Sequence, residues 1–295
     1  MPFKKILVGI DFSEISDSIF DSALFLGKLY NADIHLIHVI EPISPLFQEE
    51  GFEPLIQTEE FQVVFEVESI LKEEAKEKLE RYILKGKAEG LNITSSVEIG
   101  NIAETILEIS DEKEFDLIAI GSHKKGLLER VLLGSVAEKI VNKSKISTLV
   151  VKGASLTEIN KILCGYDFLP NSIEALEVVK EIAKITKSEV YIVHADSDEW
   201  FAHLRHIYEK VFEKKLRLLE KIKEEISSEL SVPVDIKIEK GKPEDVLLKS
   251  VEQIKPDLVV VGKRKGKDIK RFFLGTTAMR MVENSPVPVL IVRRR

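Results

Sequence analysis

At 295 residues the chain has room for about two domains, each large enough to bury its own core. Hydrophobic and charged contents of 44% and 32% are those of a soluble globular protein, and a formal net charge of −7 argues against a general binder of nucleic acid or anionic membrane. The single cysteine, Cys164, excludes an intrachain disulfide; it lies in the apolar run Ile162-Leu163-Cys164, which reads as a buried, inert thiol in a reducing compartment.

The opening run, Lys5 to Ile10, is too short and too closely followed by charge for a signal peptide or a membrane span, so a cytoplasmic protein is expected. It predicts a strand ending at Asp11. Ser13 or Ser16 then caps a helix to about Tyr30, with Ile19, Ala23, Leu26 and Tyr30 on one stripe. Asp33–Ile40 predicts a second strand. Residues 41–60 carry Pro42, Pro45, Pro54 and Gly51 among several acids, without a regular period, and read as an inserted loop or lid. A long helix is predicted from about Phe61 to Gly90, followed by a strand at Ile93–Ile99 and a helix at Ala103–Ser110. A strand at Leu117–Ile120, a helix at Gly134–Lys143 and a strand at Ile146–Val151 complete the first unit.

That order then repeats. Strands are predicted near 161–166, 189–195, 233–239, 257–262 and 287–292, and helices near 172–187, 199–230, 243–254 and 275–284. Gly9-Ile10-Asp11 returns as Gly165-Tyr166-Asp167 and His38 as His194, 156 positions on; Gly121 and Leu133-Gly134-Ser135 return as Gly262 and Leu274-Gly275-Thr276, 141 positions on. The two offsets differ by 15, the number of extra residues in the first copy between His38 and Gly100, so a whole domain is duplicated. The expected domains are 1–152 and 159–295, joined by a short polar linker at about 153–158. Continuous Val, Ile and Leu strands alternating with helices predict an α/β fold: two tandem doubly wound domains, each a five-stranded parallel sheet with helices on both faces. Ligands in such domains bind beyond the carboxyl ends of the strands.

Two features of each copy fall at those ends. Asp11 and Asp167 follow strand one directly, where an acid can accept hydrogen bonds from an adenine amino group or a ribose hydroxyl, or can start a turn and cap the next helix. After strand four comes Gly121-Ser122-His123-Lys124-Lys125-Gly126, ending 13 residues on at Gly134-Ser135; its counterpart runs from Gly262-Lys263-Arg264-Lys265-Gly266 to Gly275-Thr276. Glycines open backbone amides to close approach, and a Gly-Ser or Gly-Thr pair at a helix mouth offers free N–H groups and a hydroxyl to phosphate.

Both halves resemble the universal stress protein family, whose nucleotide-binding members carry Gly-x2-Gly-x9-Gly-Ser/Thr after strand four and an Asp after strand one. The likeness covers nearly the whole chain and includes the opening Lys-Lys-Ile-Leu-Val-Gly-Ile-Asp-Phe-Ser. It implies strand order 3-2-1-4-5 and a pairing edge at strand five, hence a pseudo-dimer within the chain and a homodimer through strand-five edges. It also implies ATP or AMP as the cofactor, with Mg²⁺ accompanying ATP. Asp11 and Asp167, beside Gly9 and Gly165, would then meet base and ribose, and Val39 and Ala195 would flank the base. The phosphates would lie against Gly121, Ser122, His123, Lys124, Gly126, Gly134, Ser135 and Val136, and against Gly262, Lys263, Arg264, Lys265, Gly266, Gly275, Thr276 and Thr277. One departure occurs twice: the family's second glycine is Lys124 in one copy and Lys265 in the other.

His38 and His194 end strand two and read as structural. His203 and His206 share one helical face without an accompanying thiol or acid pair, so no metal site is expected. Three functions compete: a nucleotide-binding stress or regulatory module, a slow ATPase or phosphoryl-transfer enzyme, and a ligand-free pairing scaffold. The first is preferred, because a sensor requires no catalytic acid–base pair and neither a P-loop nor a metal-binding carboxylate pair is evident.

Overall fold

The computed structural model describes residues 3–43, 59–122, 133–196, 205–263 and 275–293. The first half runs β1 (Lys5–Gly9), α1 (Ile15–Tyr30), β2 (Asp33–Ile40), α2 (Glu59–Ala88), β3 (Ile93–Ile99), α3 (Ile102–Glu112), β4 (Leu117–Gly121), α4 (Ser135–Lys143) and β5 (Ser147–Val151). The second runs β6 (Lys161–Gly165), α5 (Pro170–Thr186), β7 (Glu189–Asp196), α6 (Arg205–Leu230), β8 (Val234–Lys240), α7 (Pro243–Ile254), β9 (Leu258–Gly262), α8 (Thr276–Asn284) and β10 (Val289–Val292).

The central strands are apolar on both faces: Leu117–Ile120 and Leu258–Val261 are buried at every position. A strand with no polar face must be covered twice, which forces helices onto both sides of a parallel sheet. Each half has the expected order, β3-β2-β1-β4-β5 and β8-β7-β6-β9-β10. The halves meet at β5 and β10, which pair antiparallel with Val150 opposite Val289 and Leu149 opposite Leu290, giving one sheet of ten strands. Because that one pairing is antiparallel, the strands of the two halves run in opposite directions.

The pseudo-dimer within the chain is therefore present, and the expected homodimer through strand-five edges needs correction. Both strand-five edges are consumed by pairing with each other, so neither offers N–H and C=O groups to a second chain. The ladder is sealed at one end by Ser147, whose Oγ accepts from the Arg293 N–H at 3.1 Å and donates to its carbonyl at 3.2 Å.

Apolar side chains form one cluster on each face of the sheet, and each cluster contains residues of both halves. Leu149 and Val151 join Leu290 and Val292 on the face under α1, α2, α5 and α6; Val150 joins Val289 and Ile291 under α3, α4, α7 and α8. The linker is docked onto this body. The Ser18 Oγ donates to the Gly153 carbonyl at 2.8 Å, the Leu156 N–H donates to Ser22 Oγ at 2.8 Å, and Leu156 and Ile159 are buried. Of the insertion, 44–58 lie outside the described residues, and 59–60 already belong to α2.

Candidate functional site

Each half turns sharply where its first strand ends. Asp11 Oδ1 accepts from the Ser13 N–H at 3.0 Å and from the Ser13 and Ser16 hydroxyls at 2.5 and 2.8 Å. The predicted serine cap of α1 is thus replaced by an aspartate turn: Glu14, at the capping position, makes no side-chain cap bond. In the second half, Asp167 Oδ1 accepts from the Leu169 N–H at 3.1 Å, and the Asp167 N–H donates to Ser172 Oγ at 3.2 Å. These turns hold Phe12 and Phe168 in the left-handed region, at φ 60° and 63°. That conformation is uncommon for a bulky side chain, and it recurs at the same place in both copies.

Strand two supplies the next component. The His38 and His194 Nδ1 atoms lie 2.7 and 2.8 Å from the carbonyl oxygens of Ile10 and Tyr166. A carbonyl can only accept, so each Nδ1 carries a proton and donates, which leaves Nε2 of the neutral ring as an acceptor. The structural reading of these histidines holds as far as Nδ1, which ties strand two to strand one. His194 is also buried, and its Nε2 has no partner among the described residues. Burial, partly offset by the Tyr166 carbonyl, holds its pKa below the ordinary value.

In the second half these turns floor a pocket of about 640 Å³. Gly165, Asp167, His194 and Ala195 come from the strand ends, Asn171 and Ser172 from the start of α5, and Pro243 and Leu247 from α7. Gly262 closes β9, and Gly275, Thr276 and Thr277 form the mouth of α8. The pocket thus gathers Gly165, Asp167, Ala195, Gly262, Gly275, Thr276 and Thr277, which the sequence scatters over more than a hundred positions. Gly134 and Gly275 open α4 and α8 with extended backbone and no side-chain cap bond, so both helix mouths present first-turn amides and the positive dipole end.

Gly9, Asp11, Val39, Gly121, Ser122, Gly134, Ser135 and Val136 occupy the corresponding strand ends and helix mouth of the first half. His123, Lys124, Gly126, Arg264, Lys265 and Gly266 lie outside the described residues. One placement differs from the phosphate reading. Lys263 is turned away from the pocket: its Nζ donates to the Val141 and Ser144 carbonyls, at 2.7 and 2.8 Å, closing the carboxyl end of α4 in the other half. Burial, reinforced by the nearby Arg293, lowers its pKa to about 7. Gly121 and Gly262 are also held to glycine by packing. A Cβ at Gly262 would stand 2.3 Å from the Asn171 carbonyl oxygen, and one at Gly121 would stand 2.7 Å from Ile19 Cδ1. At Gly134 a Cβ would meet nothing within 4 Å.

The wall supplied by α6 was missed in the sequence, which predicts only a helix near 199–230. Val211, Lys214, Lys215 and Leu218 line the pocket. Lys215 Nζ lies 3.0 Å from Asp196 Oδ1, and the Tyr208 hydroxyl donates to Asp196 Oδ2. Burial pushes the Asp196 carboxyl up, but Tyr208 and Lys215 outweigh it and leave the pKa below its ordinary value. Positions 211, 215, 218 and 222 do form a helical stripe, which is the signal that could have found this wall. Among the described residues, no group of three or more His, Cys, Asp or Glu could hold a metal ion, and no helix is long and apolar enough to cross a membrane.

Comparison with known proteins agrees with this architecture. The universal stress protein family model matches residues 2–152 and again 158–293. A universal stress protein of Mycolicibacterium smegmatis is 26% identical over 297 residues, covering 98% of this chain and 97% of that protein. Universal stress protein MJ0531 of Methanocaldococcus jannaschii is 32% identical over 152 residues, or 51% of this chain and 82% of that one. The crystal structure of a universal stress protein from Archaeoglobus fulgidus superposes with a TM-score of 0.71 at 22% identity, covering 99% of this chain and 98% of that one. The chain belongs to the universal stress protein family, as a tandem of two of its domains.

Proposed function

We propose that this protein is an adenine-nucleotide-binding module, taking ATP or AMP at strand carboxyl ends and acting in a stress-response or regulatory role. The observation that carries this reading is the pocket of the second half. Its volume, about 640 Å³, is that of a site for a nucleotide-sized ligand. Asp167 and the His194 ring supply acceptors for the amino and hydroxyl donors of a nucleoside. Val193, Ala195 and Leu247 offer apolar surface to a base, and the α8 mouth with Thr276 and Thr277 offers amides and hydroxyls to phosphate. Family membership supports the same reading. Calorimetric titration with ATP, AMP and GTP tests it: heat with an adenine nucleotide is expected, and its absence with both ATP and AMP refutes it.

A further inference from the structure

The two halves cover their strand ends with one long helix each, and the core-facing positions of these helices match at a separation of 140. Ala75, Leu79 and Tyr82 of α2 answer to Lys215, Leu219 and Ile222 of α6. The same register places Lys78 at the position of Leu218, in agreement with their surroundings: Lys78 Nζ lies 5.5 Å over the Phe12 ring, while Leu218 lines the pocket beside Phe168. Lys214 therefore answers to Glu74.

This exchange reverses the charge of the wall. In the first half Glu74 Oε1 pairs with Lys78 Nζ at 3.1 Å, so the cation above Phe12 is neutralised. In the second half Lys214 lines the pocket and has no acid in ion-pair range among the described residues. Its neighbour Lys215 is held by Asp196, whose side chain is only 1% exposed and also accepts from Tyr208. This network ties α6 to the end of β7 and keeps the wall in place. The first half has Ile40 where the second has Asp196, Glu68 at the position of Tyr208 and Ala75 at that of Lys215, so it lacks the whole device. The same pocket is lined by the open α8 mouth and by His194, whose buried Nε2 has no partner among the described residues.

We propose that the second pocket is the chain's site for a nucleoside polyphosphate, with Lys214 setting its preference for phosphate charge, and that the first half holds such a ligand at least about tenfold more weakly. The inference rests on the nucleotide reading above and adds which half is occupied and by what charge class. Calorimetry on the full chain tests it, using ATP and adenosine with the unaltered protein, Lys214→Gln, and Lys210→Gln as an equal loss of charge from an exposed site on the same helix.

The expected result is one tight ATP site per chain, weakened about tenfold by Lys214→Gln, while adenosine affinity moves by less than about twofold and Lys210→Gln has little effect. Lys214 is exposed, and unchanged melting temperatures confirm that the variants fold. Two equal ATP sites, a tight site indifferent to Lys214→Gln, or equal losses from both lysine variants overturn this assignment and leave nucleotide binding standing. No binding of ATP, AMP or adenosine overturns both.

Discussion

Two buried lysines show how the same residue type has opposite effects in different surroundings. Lys152 is 6% exposed, its Nζ has no hydrogen-bond partner among the described residues, and burial lowers its pKa to about 8 despite the pull of Glu283. Lys152→Met should therefore stabilise the protein at pH 7 by about 1–3 kcal/mol, because an uncompensated buried cation costs more than it returns. Lys263 has two carbonyl partners, and a neutral amine still has two N–H donors for them. Lys263→Met should destabilise by about 1–3 kcal/mol through the acceptors it strands. Both lysines titrate lower in the folded chain than the usual ~10.4, so the unfolded chain binds more protons between about pH 7 and pH 10.4, and stability should rise with pH across that window. Urea unfolding at pH 7 and pH 9.5 measures both effects; in Lys152→Met the slope above about pH 8 should fall to about half, because Lys263 still contributes there. The error over Lys263 has a simple origin. Its sequence position, after Gly262 in a cationic run, marks the strand end but not the direction of the side chain. The Lys263 N–H still donates to the Val292 carbonyl at 3.0 Å, so the residue continues the ladder, and strand alternation aims it at α4.

At the scale of elements, most of the fold could be read directly, because unbroken Val, Ile and Leu runs have few alternatives to a doubly covered parallel strand. Helix starts were less legible: α5 begins at Pro170, two residues before the predicted position, with proline in the first turn where its missing N–H costs nothing. The wall of α6 was hidden for a different reason. Long lysine stems can cover apolar surface while the ammonium stays wet, so a pocket wall and a solvated face have similar compositions. The glycines closing strand four were legible as special positions, but the packing that also requires them was not. Gly262→Ala should cost about 1–3 kcal/mol, because the α5 backbone must retreat from the added carbon. Gly134→Ala, with open space around it, should stay within about 1 kcal/mol of the parent. Thermal denaturation of the two variants side by side distinguishes packing glycines from the one left open at a helix mouth.

For the whole molecule, the β5–β10 ladder and the two shared cores predict one cooperative unfolding transition, visible as coincident melting by near- and far-ultraviolet circular dichroism. The free edges of the ten-stranded sheet are β3 and β8, and they are polar: β3 presents Thr94, Ser96 and Glu98, and β8 presents Asp235, Lys237 and Glu239, with Lys237 and Glu239 paired at 3.0 Å. Such edges discourage further strand addition. Light scattering should report a single chain for the intact protein and a dimer for residues 1–156, whose bare β5 would seek a second copy. The antiparallel seam also fixes the outlook of the molecule. Carboxyl ends of the strands in one half point north where those of the other point south, so the two mouths open on opposite rims of the slab. The two mouths are therefore approached from opposite sides, and what enters one has no direct path to the other.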